Sequence, residues 1–192
     1  MTAVRTVLIL MAGAMVCASS TLALARPAAK SAARPETHHA AASHEPTLLG
    51  QFGSWGVYTA SPSGKKVCFA LAKPSSSKTT PANRPRDPAY AFISSRPAEK
   101  VVNEVSIMIG YPAKPGSEST LEVGGARYAM YTQGDGLWIK NAAEEEKLVE
   151  AMRKSGEITV KATSSKGTQT NDVFSLKGLS QALDRVAHEC RR

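Results

Sequence analysis

The chain has 192 residues, of which 42% are hydrophobic, 6% aromatic and 21% charged, with 24 lysines and arginines against 16 acidic residues. That balance excludes a disordered chain, a collagen-like repeat and a cysteine-dense mini-protein. No run of about 18 apolar residues is present to span a bilayer, and the length suits one domain.

The first element in chain order reads as a cleaved export signal over residues 1–25. Arg5 gives a positive start, Val7, Leu8, Ile9, Leu10 and Met11 open an apolar stretch, and Ala23-Leu24-Ala25 is a small-x-small cleavage site. The stretch is too short for a bilayer of about 30 Å, so an uncleaved anchor is the weaker reading and the mature chain is expected to carry no transmembrane segment. Cys17 follows Val16, which is too large for a lipid-attachment site, so this cysteine leaves with the signal.

Residues 26–47 form a spacer. It holds seven alanines, Pro27, Pro35 and Pro46, and the histidines His38, His39 and His44, without any apolar period. Such a segment cannot dock on a core and is expected to be a disordered tether. The three histidines invite a metal, but no cysteine or tight carboxylate cluster accompanies them, and ordering a tether around an ion costs entropy. No metal or other cofactor is expected.

From residue 48 to 192 the pattern becomes short alternating strands. Residues 52–59 and 66–72 are the first two, joined at Pro62-Ser63-Gly64. Residues 75–88 are polar and contain Pro81, Pro85 and Pro88, which predicts a long exposed loop. Strands follow at 90–94, 101–111, 121–123 and 127–131, the last two separated by Gly124-Gly125, a two-residue hairpin signal. Further strands are expected at 137–139, 157–161 and 172–176. About eight strands with glycine and proline punctuation predict a mostly β, antiparallel sandwich.

Two helices interrupt the strands. Asn141 is placed to cap a helix to about Lys154, with Glu144, Glu145 and Glu146 at the positive end, Arg153 and Lys154 at the negative end, and Gly156 as the stop. The acidic triplet matches the helix dipole without needing a cation. Leu179, Leu183, Val186, Ala187 and Cys190 share one face of a second helix over residues 179–190. Signal cleavage leaves two cysteines, Cys68 and Cys190, and in an oxidising compartment an even number predicts a disulfide. Closing so long a loop stabilises the fold by about 4 kcal/mol on the chain-entropy model. On the second strand Cys68, Ala70 and Ala72 share one side and Val67, Phe69 and Leu71 the other. The bulky side is expected to face the core, and the small side to admit the terminal helix.

The sequence resembles the invasion-associated locus B family of bacterial periplasmic proteins. The likeness begins with Phe52-Gly-Ser-Trp55-Gly-Val57-Tyr58 and Lys66-Val67-Cys68-Phe69-Ala70. It continues through Arg86-Asp87-Pro88-Ala89-Tyr90, Asn103-Glu-Val105, Tyr131-Thr-Gln-Gly134-Asp-Gly136 and Trp138-Ile139-Lys140-Asn141, and ends in the run from Phe174 to Leu183. It spans about residues 51–190. The resemblance implies an exported immunoglobulin-like β-sandwich with an early and a late cysteine. Some relatives are associated with invasion of host cells and virulence, and the family supplies no catalytic residues to carry over.

Enzyme constellations are absent from the sequence: no nucleophile elbow, His-Glu-x-x-His, phosphate loop or Cys-x-x-Cys occurs. His188, on the terminal helix away from its apolar face, reads as a solvated group. Asp87, beside Arg84 and Arg86, and Asp135 could form a distant hydrolytic carboxylate pair, although Asp is a favoured turn residue. Trp55 and Trp138 would suit a sugar-stacking platform, but strand tryptophans more often fill cores. A pI near 9.5 favours anionic partners. Lys65, Lys66, Arg84, Arg86, Lys161 and Lys166, with Arg191 and Arg192, supply the charge. They lie on separate loops without interleaved aromatics, which argues against nucleic acid. The favoured expectation is a non-enzymatic periplasmic protein that binds an anionic envelope surface or an envelope or host protein. Outer-membrane attachment or secretion are variants of that address. The alternatives are a hydrolase using Asp87 or Asp135 and a structural subunit of an envelope complex.

Overall fold

Alternation and turn residues set the elements. In the computed structural model, which describes residues 45–191, they form eleven strands and two α-helices. The expected signal peptide and almost all of the expected spacer, including Cys17, His38, His39 and His44, lie outside the described residues. The strands are β1 (Thr47–Phe52), β2 (Trp55–Ala60), β3 (Val67–Ala72), β4 (Ser76–Thr80), β5 (Tyr90–Arg96) and β6 (Val101–Met108), then β7 (Ser119–Val123), β8 (Ala126–Gln133), β9 (Gly136–Trp138), β10 (Glu157–Thr163) and β11 (Gln169–Ser175). Helix α1 (Ala142–Lys154) follows β9, and α2 (Leu179–Cys190) follows β11.

Every pairing is antiparallel, in the order β1-β2-β3-β5-β6-β9-β8-β7-β10-β11-β4. The sheet is continuous because β8 pairs with β7 through Ala126–Met130 and with β9 through Tyr131–Gln133. The expected mostly β, antiparallel class with two helices is observed, as one eleven-stranded sheet. Its two halves bury a common core: Trp55, Ile93, Val105, Ile107 and Leu137 from the first meet Leu121, Ile158, Val160 and Phe174 from the second.

Local chemistry explains most boundaries. Gly124 and Gly125 both have positive φ (56° and 82°) and join β7 to β8 as a two-residue hairpin. The Asn141 carboxamide oxygen accepts from the Ala143 and Glu144 amides, capping α1 as expected. Four expectations need correction. Residues 52–59 are not one strand: Gly53 (φ 55°) turns the chain there, so β1 precedes β2. Cys68 therefore lies on the third strand. Part of the stretch 75–88 is β4, an edge strand paired with β11. Finally, α1 ends at Lys154 because Ser155 is extended, not through a left-handed Gly156.

The disulfide Cys68–Cys190 is present, with Cα atoms 5.9 Å apart. It pins α2 to β3, and Leu179, Ala182, Leu183 and Val186 of α2 are buried. Here the expected orientation of β3 is reversed. Cys68, Ala70 and Ala72 face inward and are fully buried, whereas Val67, Phe69 and Leu71 are only half-buried on the outer surface. The helix occupies the inner side, so only small side chains fit beneath it, and the large ones turn outward.

Two turns interlock beside α2. Ser54 N–H donates to the Lys177 carbonyl (3.0 Å), and a Cβ placed on Gly178 would stand 2.1 Å from the Phe52 carbonyl oxygen. Gly178 (φ 89°) is thus required both by its backbone angle and by close approach.

Candidate functional site

Of the basic side chains singled out above, the fold neutralises three. Lys66 Nζ lies 2.9 Å from the Glu189 carboxylate and 2.8 Å from the Glu189 carbonyl oxygen, clamping the end of α2. Lys161 Nζ lies 3.0 Å from Glu122, whose carboxyl is held below its usual range mainly by that hydrogen bond. Arg86 is the third. Its guanidinium donates two hydrogen bonds to the Asp172 carboxylate, one of them at 2.8 Å, and two more to the Ile109 carbonyl (2.9 Å) and Ser77 Oγ (3.1 Å). Asp172 is fully buried, and the Arg86 guanidinium also sits 5.9 Å from the Tyr111 ring centroid. A carboxylate so deeply placed is tolerable only because this fork satisfies it.

Arg84 and Lys166 are different. Both are exposed, and neither makes an ion pair among the described residues. Although 82 positions separate them in sequence, they line one pocket of about 440 Å³. One wall is the loop after β4, the opposite wall is the turn from β10 to β11, and Tyr111 and Pro112 form part of the lining. Backbone bonds hold the walls together: Asp87 N–H donates to the Gly110 carbonyl (3.0 Å), and Ser165 N–H to the Pro112 carbonyl (2.9 Å). Pairing of β4 with β11, Thr80 opposite Gln169, brings the two sides into register. Arg86 lies against the pocket with its charge already compensated.

The polar lining is built mainly from hydroxyls. Tyr111 Oη and Thr170 Oγ1 are 2.5 Å apart, Thr168 N–H donates to Ser164 Oγ at 3.0 Å, and Arg84 N–H donates to Thr79 Oγ1 at 3.1 Å. Burial pushes the Tyr111 phenol above its ordinary value, so it contributes a hydroxyl and no negative charge to the lining. The pocket therefore carries two uncompensated positive charges and no uncompensated negative one. Such a concave basic surface attracts anions and offers them hydrogen-bond donors. Sequence reading named Arg84, Arg86 and Lys166 but had no means of bringing them together, and it missed Tyr111.

The remaining candidates lie outside this pocket. Lys65 is exposed beyond the short 3₁₀ turn at Pro62–Gly64. Asp87 and Asp135 are exposed, their backbones bonded to the adjacent residues Gly110 (Asp87 N–H to its carbonyl, 3.0 Å) and Ile109 (its N–H to the Asp135 carbonyl, 2.9 Å), and neither lines the basic pocket. Trp55 is fully buried and donates its indole N–H to the Ser175 carbonyl, while Trp138 is only partly buried beside Tyr131, so the two tryptophans form no common platform. His188 is exposed. Among the described residues no cluster of His, Cys, Asp or Glu is arranged to hold a metal, and no helix is long and apolar enough to cross a membrane.

A family model described as "Invasion associated locus B (IalB) protein" matches residues 55–187. This range contains the pocket and all the strands from β2 to β11. No curated protein and no solved structure gives a significant match.

Proposed function

The chain belongs to the invasion associated locus B family, and from that premise we propose that it is an exported, non-enzymatic envelope protein that binds an anionic partner through the pocket of Arg84 and Lys166. The observation that carries the reading is the sorting of charge. Lys66, Arg86 and Lys161 are committed to Glu189, Asp172 and Glu122, whereas Arg84 and Lys166 are left facing one hydroxyl-lined cavity. The export signal read over residues 1–25 supplies the compartment, and the Cys68–Cys190 bridge suits an oxidising one. Lipid headgroups, acidic polysaccharide or an acidic protein surface present the required charge.

The test is co-sedimentation of the protein with vesicles containing anionic phosphatidylglycerol, against neutral phosphatidylcholine vesicles, at low and high salt. Retention should be selective for the anionic vesicles and should weaken with salt, because exposed charges are screened beyond about 10 Å at 0.1 M ionic strength. The double substitution Arg84→Glu and Lys166→Glu should reduce binding at least about tenfold, a difference of about 1.4 kcal/mol. Equal retention by the charge-reversed protein would remove the pocket from the binding surface.

A further inference from the structure

The outer face of the first half of the sheet holds an unusual share of the aromatic residues. Tyr58, Phe69, Tyr90, Phe92, Tyr131 and Trp138, six of eleven in the chain, lie on this surface, and none is fully buried. Strand register arranges them in transverse rows. One row runs Leu71, Phe92, Ser106, Trp138, Tyr131 across β3, β5, β6, β9 and β8, and the next pairs Tyr58 with Phe69. The rings touch in two groups, Tyr58–Phe69 at 5.3 Å, Phe69–Phe92 at 5.8 Å and Tyr90–Phe92 at 6.2 Å in one, and Tyr131–Trp138 at 5.8 Å between centroids in the other. They stand apart from the core cluster, whose partly buried fringe contains none of these six.

Two of the rings lie across glycine. A Cβ added to Gly136 would meet the six-membered ring of Trp138 at 2.1 Å, and one added to Gly56 would meet the Tyr58 ring at 2.8 Å. These side chains therefore lie along the sheet surface, and Trp138 keeps part of its indole open to solvent. Between Phe92 and Trp138 stands Ser106, whose hydroxyl makes no hydrogen bond among the described residues although the residue is only 8% exposed.

The electrostatics of the face separate it from the rest of this basic chain. On these rows Arg96 and Glu104 close on each other at 2.7 Å, and the Lys73 ammonium sits 5.9 Å from the Tyr90 ring centroid at one border. That ion pair cancels its own charge, so the interior of the face carries no net charge. A surface of flat rings without net charge, with an unpartnered hydroxyl set among them, matches a ligand that presents polarised C–H faces and hydroxyl edges. Ring faces carry the negative part of the aromatic quadrupole and attract such C–H groups. We propose that this outer face is a second binding site, for a flat, uncharged, β-linked glycan chain, with Trp138 and Tyr131 as the central stacking pair and Ser106 hydrogen-bonding a sugar hydroxyl. β-1,4-linked pyranoses form ribbons whose two faces are C–H rich, the shape that a sheet surface accommodates.

The site is independent of the basic pocket, and its test uses the full exported chain with cellohexaose and chitohexaose as probes. Trp55 is fully buried, so a ligand-induced change in tryptophan emission reports on Trp138. At least one hexasaccharide should change that emission and give saturable heat in calorimetry. Tyr131→Ala, at an exposed position, should weaken binding at least tenfold with an unchanged unfolding midpoint, and Trp138→Ala should weaken it further by calorimetry. Arg84→Glu with Lys166→Glu should leave hexasaccharide binding intact while weakening vesicle binding at least tenfold, which keeps failure of one site distinct from failure of the other. Silence of both probes, or unchanged affinity in Tyr131→Ala, overturns the proposal. So does a dimer in sedimentation that dissociates on Tyr131→Ala or Trp138→Ala, because the face would then belong to a second copy.

Discussion

Replacing Asp172 should weaken the fold and strengthen anion binding at the same time. The carboxylate is fully buried, and its partner Arg86 has only 11% of its side chain exposed. In Asp172→Asn the side-chain shape is nearly kept, but Arg86 loses the counter-charge to two of its hydrogen bonds and retains only the Ile109 carbonyl and Ser77 Oγ as undisturbed acceptors. Breaking a buried pair by removing one partner costs about 3–5 kcal/mol, and because Arg86 borders the pocket, water entry should hold the loss near 3 kcal/mol. That is a large fraction of a typical domain stability of about 5–15 kcal/mol. The pocket, meanwhile, gains one uncompensated positive charge, so its affinity for anionic vesicles should rise. Urea unfolding followed by circular dichroism measures the first effect, and vesicle co-sedimentation the second. Replacing both partners with apolar residues, Arg86→Met with Asp172→Leu, should recover much of the stability because no buried charge then stands alone. A loss below about 1 kcal/mol for Asp172→Asn would refute the assignment of the pair as the anchor of the pocket wall.

Reducing the Cys68–Cys190 bridge, which links positions 122 apart, should lower stability by about 4–5 kcal/mol on the chain-entropy model, and an unchanged urea midpoint in reductant would contradict this. Burial raises the Glu145 carboxyl above its ordinary value although it accepts the Val105 N–H at 2.7 Å. A raised carboxylate binds more protons folded than unfolded, so its ionisation costs stability as pH climbs from the usual carboxylate value through the raised one. Glu145→Gln removes that cost: its advantage over the parent should grow with rising pH and fade in acid, and a gap independent of pH would sink the idea. Gly178→Ala should destabilise well beyond about 1–2 kcal/mol, since it combines a left-handed residue with a backbone clash. Gly116→Ala (φ 71°, nothing within 4 Å) should stay within that range, and thermal melts compare the two.

The sequence announced whatever depended on local order. Helix α2 has the bounds its apolar face predicted, because a 3.6-residue period over twelve positions admits few alternatives. The Gly124-Gly125 hairpin and the Asn141 cap were equally legible, each being fixed by one or two residues. Long-range decisions were not. Strand alternation divides β3 into two sides without saying which is inner, and only the position of α2 decided against Phe69. Strand β4 is polar and lies at an edge, so it lacks the apolar alternation that reveals strands, and its existence depends on β11. The partner of Arg86 lies 86 positions away. Whether a given arginine was free to bind an anion was thus decided by topology, and composition could name the candidates only as a group.

The pairings that complete the molecule are also the most distant along the chain. Strand β4 waits for β11, Trp55 bonds the carbonyl of Ser175 120 positions on, and α2 lies against β3, β2 and β5. Loop closure of this length must precede its reward, so acquisition of the native state should be slow, in the millisecond-to-second range seen for all-β domains. During that interval Trp55, Ile93 and Phe174, fully buried at the end, and the side of β11 that β4 later covers would be open to wrong associations, so yield in production should depend more on the kinetics of closure than on final stability.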